Sequence, residues 1–416
     1  MISKLSLSCV IVMPLSNPVG VNYNTPVVHT MLSRVSHSHE KDRILIISPF
    51  CNERNSKFNV IYAPPGISFY KYINFITTIL QSRPCVSLEV HQDLLLASHL
   101  HKSLKKKIHT ISLIKHNRDI VAHASISPKE SSVTYYNAIE GYLSSPLLRP
   151  KKTNILLAFR RSQSKRYRKV ILYASKNINI ITVSKDLQYY YQQYFKSVHY
   201  IYNSYGYLGD LSSYTSTNNR KNVIAFVGKP THEKGFVEFI SSAIDILNYN
   251  ASWSVHLMLG QFYHYKSHYN SEHHLHLYKS ISQEPCFQQL VHDGRIKVDF
   301  ALTSQEVFNN LLHYKISVVP SYDEAFGLSA MESMLAGCAL ILSNRGALLE
   351  LINSEDMALI LDDITPESIT NCMQYLISNN QKRLKMASLA YEYAKEKFHP
   401  DIASTEFDSI SGLLRL

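Results

Sequence analysis

Two glutamates, Glu324 and Glu332, stand eight positions apart in PSYDEAFGLSAMESMLAG, residues 320–337. Carboxylates at this spacing have three ordinary uses: acid–base chemistry on a glycosidic bond, capping of a helix, and hydrogen bonding to two parts of one ligand. Ser329 and Glu332 have the three-residue separation of a capping box, so the second use stays open. Glu324 precedes Ser329 by five residues and has no capping role there.

The position of these glutamates relative to the predicted helix favours a ligand clamp. A glycosidase places its carboxylates on either side of one bond, about 5 to 10 Å apart and usually on separate elements. Here one carboxylate precedes the helix and the other lies a turn inside it, which suits two hydroxyl-bearing groups with a phosphate between them at the helix N-terminus. We expect the N–H groups of Phe326, Gly327 and Leu328 to point at that ligand. A nucleotide-sugar has these features.

A second pattern, FVGKPTHEKGF at residues 226–236, places Lys229 and Lys234 five positions apart around a turn. Two cations held in this way converge on one anionic group, for which a pyrophosphate is the natural candidate. Two exposed surface lysines are the alternative reading. Near the N-terminus, Gly20 follows a predicted strand and precedes a helix that begins near Pro26, so it is either a simple turn or a close approach to a phosphate or sugar.

These residues lie at the ends of strands in a repeated β-strand and helix alternation. The predicted strands are 7–14, 43–50, 59–65, 85–92, 109–116 and 177–184, then 222–229, 253–260, 296–301, 315–321, 338–343 and 357–362. Helical patterns separate most of them, which predicts two doubly wound parallel sheets, as two Rossmann-like domains that face each other across a ligand cleft. The domains are predicted at 1–208 and 223–398, with a Ser/Thr/Asn-rich linker at 209–222 and a helical tail at 399–416.

Composition indicates an ordinary globular protein, with 45% apolar and 18% charged residues. The six cysteines are scattered without a CxxC pair, which argues against a disulfide framework and a zinc site and favours a reducing cytoplasm. The apolar run near the N-terminus is interpreted as a buried strand and not as a signal peptide. No uncharged run approaches the ~20 residues of a membrane span, so the protein is expected to be soluble or peripheral.

Charge divides unevenly between the halves. Residues 1–200 hold 27 of the 43 basic side chains but 9 of the 32 acidic ones, a net charge of +18 against −7 for the remainder. This asymmetry predicts an anionic partner for the first half: a phosphorylated glycolipid, a membrane surface or a nucleic acid. A solvated basic surface is the other interpretation. The densest basic stretches are residues 105–107 and 160–169.

GKPTHEKG, followed by PSYDEAFGLSAMESMLAGCALILSNRGALLE, resembles the donor-binding signature of the retaining GT-B glycosyltransferases of family 4, the glycosyl transferases group 1. The resemblance extends over nearly the whole chain. Its layout is most similar to enzymes that add N-acetylglucosamine or another hexose to the lipopolysaccharide core. It implies transfer of a hexose or N-acetylhexosamine from a nucleotide-diphosphate sugar, with a UDP-sugar favoured, to a glycan or glycolipid at the inner face of the cytoplasmic membrane.

The resemblance also implies roles for the donor-side residues. Glu324 would contact hydroxyls of the transferred sugar, and Glu332 would accept hydrogen bonds from the ribose. Lys229, where the family usually has Arg, and Lys234 would neutralise the pyrophosphate. Leu302 would lie against the nucleobase. The donor-binding set also includes Gly20, Phe326, Gly327 and Leu328. Ala301 and Ala325 stand where the family usually has Gly, and Ala325 is tolerated only if its φ is not positive.

In the first domain His116 resembles a strand-end histidine that reaches the donor sugar or its phosphate, and joins Glu324 and Lys234 as a catalytic residue. His91, Arg160 and Arg161 are expected on the acceptor side. No enzymic nucleophile is identified, and neither a metal nor another cofactor is expected. A nucleic-acid-binding protein, or a non-catalytic sugar-binding protein, is the alternative function, although no recognised nucleic-acid motif accompanies the basic half.

Overall fold

The computed structural model describes residues 7–14, 19–20, 26–52, 54–83, 85–91, 93–104, 108, 110–115, 172–208, 211, 220–260 and 277–410. The chain divides into two units. One runs up to Ile201 and also takes in the chain from Ser404 onward, and the other is Tyr202–Ala403. Most of the predicted linker, 209–222, lies outside the described residues.

The first unit is built on a parallel sheet with the described strands in the order β3-β2-β1-β4-β5-β6-β7. The strands are Leu7–Val12 (β1), Ile44–Ser48 (β2), Val60–Tyr62 (β3), Cys85–His91 (β4), Thr110–Lys115 (β5), Asn179–Thr182 (β6) and Val198–Tyr200 (β7). The helices are Pro26–His37 (α1), Phe69–Ser82 (α2), Leu94–Leu104 (α3) and Lys185–Gln192 (α4). All of β1 is buried, because β2 and β4 pair with its two edges and neighbouring side chains cover its faces.

The second unit repeats this design with the strand order β10-β9-β8-β11-β12-β13, again all parallel. The strands are Lys221–Gly228 (β8), Ser254–Leu259 (β9), Ile296–Phe300 (β10), Tyr314–Val319 (β11), Ala339–Ser343 (β12) and Ala358–Leu361 (β13). The helices are Phe236–Tyr249 (α5), Pro285–His292 (α6), Ser304–Leu311 (α7), Leu328–Leu335 (α8), Pro366–Ser378 (α9) and Asn380–Lys397 (α10). A last helix, Pro400–Ile410 (α11), carries the chain back into the first unit.

Helix α5 illustrates how the sequence positions these elements. Phe236, Phe239, Ile240 and Ala243 recur at intervals of three and four, and all are buried in the core of the second unit. Truncation of Phe239 to Ala would cost about 3–5 kcal/mol of unfolding free energy, since a large buried ring would be removed. The core therefore fixes the strand before α5 and the helix itself, and so determines where the loop between them lies.

Every strand predicted from the sequence is present, and the structure adds β7, which has three residues. The prediction of two doubly wound parallel sheets is confirmed. In the described part of the chain, no helix combines the length and the apolar character that crossing a membrane requires.

Candidate functional site

The loops after β8 and β11 bring Lys234 and Glu324 together. Lys234 ends a short 3₁₀ helix, His232–Lys234, and Glu324 lies in the connection between β11 and α8. The Lys234 Nζ atom is 2.5 Å from Glu324 Oε2, and Ser321 Oγ donates to the same oxygen at 3.2 Å. Strands β8 and β11 are parallel neighbours in the sheet, so their carboxyl ends lie side by side at one edge. The two residues singled out from separate motifs therefore form one charged group.

Backbone contacts hold these two loops against each other. Gly235 has φ +63°, and a Cβ at this position would lie 2.2 Å from the carbonyl oxygen of Pro320. The N–H of Tyr322 donates to the carbonyl of Glu233 at 2.8 Å. Only glycine allows so close an approach at a positive φ, so Gly235 sets the distance between the two loops.

The backbone of Glu324 is fixed from a third direction, by the loop after β12. Gly346 has φ +57°, and a Cβ there would lie 2.3 Å from the Glu324 carbonyl oxygen, which accepts a hydrogen bond from Ala347 N–H at 2.9 Å. Sequence reasoning did not identify Gly346 or Ser321 as parts of the site. A signal for Gly346 was present in the sequence, since this glycine follows the end of the buried strand β12 by three positions.

Lys229 follows β8 directly and lies near Lys234. Loss of hydration, followed by the positive charge of Lys234, lowers the pKa of Lys229. The residue is nevertheless exposed to solvent, so this loss of hydration is incomplete and the side chain is expected to stay cationic at neutral pH. An anion bound next to both lysines would relieve their mutual repulsion and would be stabilised by both charges.

The N-terminus of helix α8 does not have the capping box that the spacing of Ser329 and Glu332 allowed. Gly327, with φ +96°, is its N-cap, and no side chain caps the helix. Ser329 lies inside the first turn, where its carbonyl accepts a bond from Ser333 Oγ. The first N–H groups of any helix have no intrahelical acceptors, and a glycine N-cap has no side chain that could accept from them. Phe326 is buried beside this entry, and Leu328 is half-buried.

Glu332 lies on α8 with only 6% of the residue exposed. Its Oε1 accepts a hydrogen bond of 2.7 Å from the hydroxyl of Tyr207, a residue that sequence reasoning missed. Burial raises the pKa of Glu332 to about 7, although the bond from Tyr207 acts in the opposite direction. A buried carboxylate with this pKa is a strong acceptor above neutral pH and is expected to hold a proton below it.

Leu302 and Ala301 follow β10 at the same sheet edge. Leu302 is half-buried, and Ala301 has φ +60°, the one positive φ found among the described non-glycine residues. Ala325 therefore has no positive φ, which is the condition under which an alanine is tolerated at that position. Ala301 instead keeps the left-handed conformation for which the family's usual glycine is suited, at a cost of about 1 kcal/mol.

In the first unit, Gly20 is buried and pairs with Arg54 in an isolated bridge. His91 ends β4 and is buried, where its Nε2 bonds to Glu89 Oε1, which also accepts from Arg34. Burial alone would raise the pKa of Glu89, but the charges and hydrogen bonds of Arg34 and His91 outweigh it and lower the pKa to about 2. This cluster gives His91 a structural partner, and its acceptor-side role stays a prediction.

Three predicted residues, His116, Arg160 and Arg161, lie outside the described residues. The basic stretches 105–107 and 160–169 do as well. Among the side chains that the structure does describe, no group of three or more His, Cys, Asp and Glu is arranged to hold a metal ion. The second unit contains five of the residues predicted to bind the donor: Lys229, Lys234, Leu302, Glu324 and Glu332.

Comparison with known proteins gives a family match within the second unit. Residues 212–393 match the family model described as glycosyl transferases group 1. A D-inositol 3-phosphate glycosyltransferase of Corynebacterium glutamicum (strain R) is 30% identical over 80 residues, which is 19% of this chain and 19% of that protein. The chain thus spans about a fifth of the length of the curated relatives it matches.

Solved structures resemble the whole chain. Anabaena Alr3699/HepE in complex with UDP-glucose aligns with a TM-score of 0.66 and 13% identity over 98% of this chain and 100% of that one. WaaG, a glycosyltransferase involved in lipopolysaccharide biosynthesis, aligns with a TM-score of 0.63 and 10% identity over 97% and 100%. At these identities the likeness establishes the fold, which is the GT-B fold expected from the sequence.

Proposed function

From the glycosyl transferases group 1 domain at residues 212–393, we propose that the chain is a glycosyltransferase that uses a nucleotide-diphosphate sugar. One observation carries the proposal: Lys234 and Glu324 form a 2.5 Å ion pair at the carboxyl edge of the sheet, beside the N-terminus of α8. A nucleotide-sugar joins its sugar directly to its diphosphate. A cation for the diphosphate and a carboxylate for sugar hydroxyls must therefore be neighbours, as these two are.

In the proposed reaction, the bond between the donor's anomeric carbon and the diphosphate oxygen breaks, and that carbon bonds to a hydroxyl oxygen of the acceptor. The electron pair of the broken bond leaves with the nucleoside diphosphate, which takes up the proton of the acceptor hydroxyl. Lys229 and Lys234 would stabilise the charge on the departing group, and the first N–H groups of α8 would add to this. Transfer with retention, and without a metal, is part of the proposal.

The remaining residues are assigned to the donor and the acceptor. Glu324 would accept bonds from the transferred hexose or N-acetylhexosamine, Glu332 from the ribose, and Leu302 would contact the base. Gly20 and His116 are also proposed to bind the donor, and His91, Arg160 and Arg161 to bind the acceptor. A UDP-sugar is favoured, and the UDP-glucose complex of the structurally similar HepE supports that choice.

The acceptor proposed is a glycan or glycolipid of the cell surface, with the lipopolysaccharide core as the leading candidate. The net charge of +18 on residues 1–200 supports an acceptor or membrane surface that carries phosphate. A peripheral position at the cytoplasmic side of the membrane follows from this choice.

Thermal unfolding with UDP-, GDP- and ADP-sugars tests the proposal. A ligand that binds only the folded state raises the midpoint. We expect one nucleotide class to raise it for the wild type, and for neither Glu332→Ala nor Lys234→Ala. Lys382→Met is the matched control, because Lys382 forms a 2.6 Å ion pair with Asp356 in the same unit, away from the proposed site. It should keep the wild-type shift. No shift with any sugar nucleotide would overturn the proposal.

A further inference from the structure

The segment that opens the second unit is fastened to it by three tyrosine hydroxyls. Tyr202 donates to Glu350 Oε2 at 3.0 Å, and Tyr205 donates to the carbonyl of Lys395, also at 3.0 Å. Tyr207 donates to Glu332 Oε1 at 2.7 Å. Of the three acceptors, Glu332 is the one that carries a proposed donor role, as the carboxylate assigned to the ribose.

The hydrogen bond from Tyr207 engages one of the two carboxylate oxygens of Glu332. Glu332 is buried and Tyr207 is half-buried, in the 3₁₀ turn Gly206–Leu208. Glu332 Oε2 accepts no bond from the described residues, yet it is not among their fully enclosed unpartnered atoms, unlike Glu89 Oε2. One oxygen is thus fixed by the protein, and the other retains access to solvent or to a ligand.

We propose that Tyr207 is a positioning residue that holds Glu332 by Oε1, so that Oε2 faces a ribose hydroxyl of the nucleotide-sugar. This inference rests on the proposed function. A carboxylate held at one oxygen cannot rotate about its terminal bond without loss of that hydrogen bond, so the second oxygen has a defined direction. Little ordering of Glu332 then remains to be done when the donor binds.

The proton balance of the pair supports the same role. Burial, followed by the charge of Glu332, holds the pKa of Tyr207 well above its ordinary value, so the phenol stays a donor throughout the physiological range. Its bond favours the ionised form of Glu332, which is the form able to accept from a hydroxyl. The charged groups on the elements packed against α8 are Glu306 on α7, Lys315 on β11, Glu350 on the 3₁₀ turn Gly346–Leu351, and Lys382, Arg383, Lys385, Glu392, Lys395, Glu396 and Lys397 on α10. Besides burial, Tyr207 is the group that shifts the pKa of Glu332.

Tyr207→Phe in the full-length protein tests the role. We expect the Kd for the nucleotide-sugar found in the thermal screen to rise about tenfold at pH 7, while kcat changes less than twofold, because the lost hydrogen bond acts on donor binding. The midpoint of the pH dependence of binding should also move upward, since Glu332 loses the bond that favours its ionised form. Tyr205→Phe is the matched control: it loses a hydroxyl bond from the same segment, and should leave both the Kd and the pH midpoint unchanged.

A double-mutant cycle shows whether Tyr207 acts through Glu332. Tyr207→Phe added to Glu332→Gln should weaken binding less than twofold beyond Glu332→Gln alone. An equal and independent loss in the double variant, or a Tyr207→Phe variant whose Kd and pH profile match those of Tyr205→Phe, would overturn the positioning role while the proposed function stands. Failure of the wild type to bind any sugar nucleotide would instead overturn the proposed function, and this inference with it.

Discussion

The Nζ atom of Lys234 lies 2.5 Å from Oε2 of Glu324, although 90 positions separate the two residues in the chain. Their side chains are 28% and 15% exposed, so the pair is partly hydrated. Ion pairs of this kind contribute about 0–1 kcal/mol to stability. Gly235 nonetheless allows the loop after β8 to pack against the loop after β11, and Gly346 allows the loop after β12 to pack against the backbone of Glu324. These backbone contacts fix the position of the pair independently of its small contribution to stability.

The two members of this pair should affect different parts of a nucleotide-sugar. Lys234→Met is expected to weaken binding of the free nucleoside diphosphate at least tenfold, because it removes a cation that is proposed to bind the diphosphate. Glu324→Gln is expected to leave that binding within threefold and to lower kcat for sugar transfer at least 100-fold, as loss of a group that acts at the reacting sugar would. Calorimetry with UDP and UDP-glucose, together with single-turnover rates, measures the two effects. Equal loss of nucleotide binding in both variants would contradict this division of roles.

Glu332 makes folding depend on pH in a direction opposite to that of a paired carboxylate. Its pKa is about 7 in the folded protein and about 4.5 unfolded, so the folded state binds more protons between these values and stability falls as pH rises through this range. Glu332→Gln removes the dependence. Its gain in unfolding free energy over the wild type should increase by about 2 kcal/mol from pH 5 to pH 8. Urea unfolding at the two pH values measures this.

Glu306→Gln provides a control of opposite sign for that measurement. The backbone N–H of Thr303 lowers the pKa of Glu306, so its carboxylate contributes stability above the unfolded pKa that is lost as pH falls. This variant should lose stability at pH 8 relative to wild type, and should lose less at low pH. A Glu332→Gln variant that shows the same sign as Glu306→Gln would contradict the assignment of a raised pKa.

Hydrophobic periodicity was sufficient to predict the sheets but not every strand in them. Buried runs such as those of β1 and β12 are apolar at nearly every position, which is typical of parallel strands covered on both faces. Strand β7 has three residues, and one of them, His199, is exposed, so it offers no periodic pattern to detect. Its place in the sheet depends on pairing with β6, which is a tertiary interaction.

The strand-end positions of the residues proposed for the donor site were predictable from the sequence, whereas their roles remain a proposal. Lys229, Lys234 and Glu324 are charged residues in loops after buried strands. Tyr207 was not predictable, because it is 125 positions from its acceptor and one of 28 tyrosines. The capping-box signal of Ser329 and Glu332 was present in the sequence but is not used, since Gly327 starts the helix in a conformation that puts Ser329 inside it.

Gly235 should be far less tolerant of substitution than another glycine with nearly the same backbone conformation. Gly235→Ala introduces a Cβ 2.2 Å from the Pro320 oxygen, and is expected to cost about 3 kcal/mol or more of unfolding free energy. Gly294, with φ +68° against +63°, has nothing within 4 Å of an added Cβ, so Gly294→Ala should cost about 1 kcal/mol. Urea unfolding of both variants isolates the clash from the strain in φ. Similar losses in the two would show that the loops after β8 and β11 separate without cost.

Ala301 carries a strain that a single substitution should relieve. Its φ of +60° is in the left-handed region, where a Cβ costs about 1 kcal/mol relative to glycine. Ala301→Gly is therefore expected to raise the unfolding free energy by up to about 1 kcal/mol, even though glycine ordinarily destabilises through its greater freedom in the unfolded state.

Ala325→Gly is the control: Ala325 has no positive φ, so glycine there should lower the unfolding free energy by about 0.5–1 kcal/mol. Because Ala301 is held by a bond from its N–H to the carbonyl of Leu259 at 3.0 Å, the loop that carries Leu302 should keep its position, and nucleotide affinity should change less than twofold. Equal destabilisation by both substitutions would mean that Ala301 does not keep the left-handed conformation in solution.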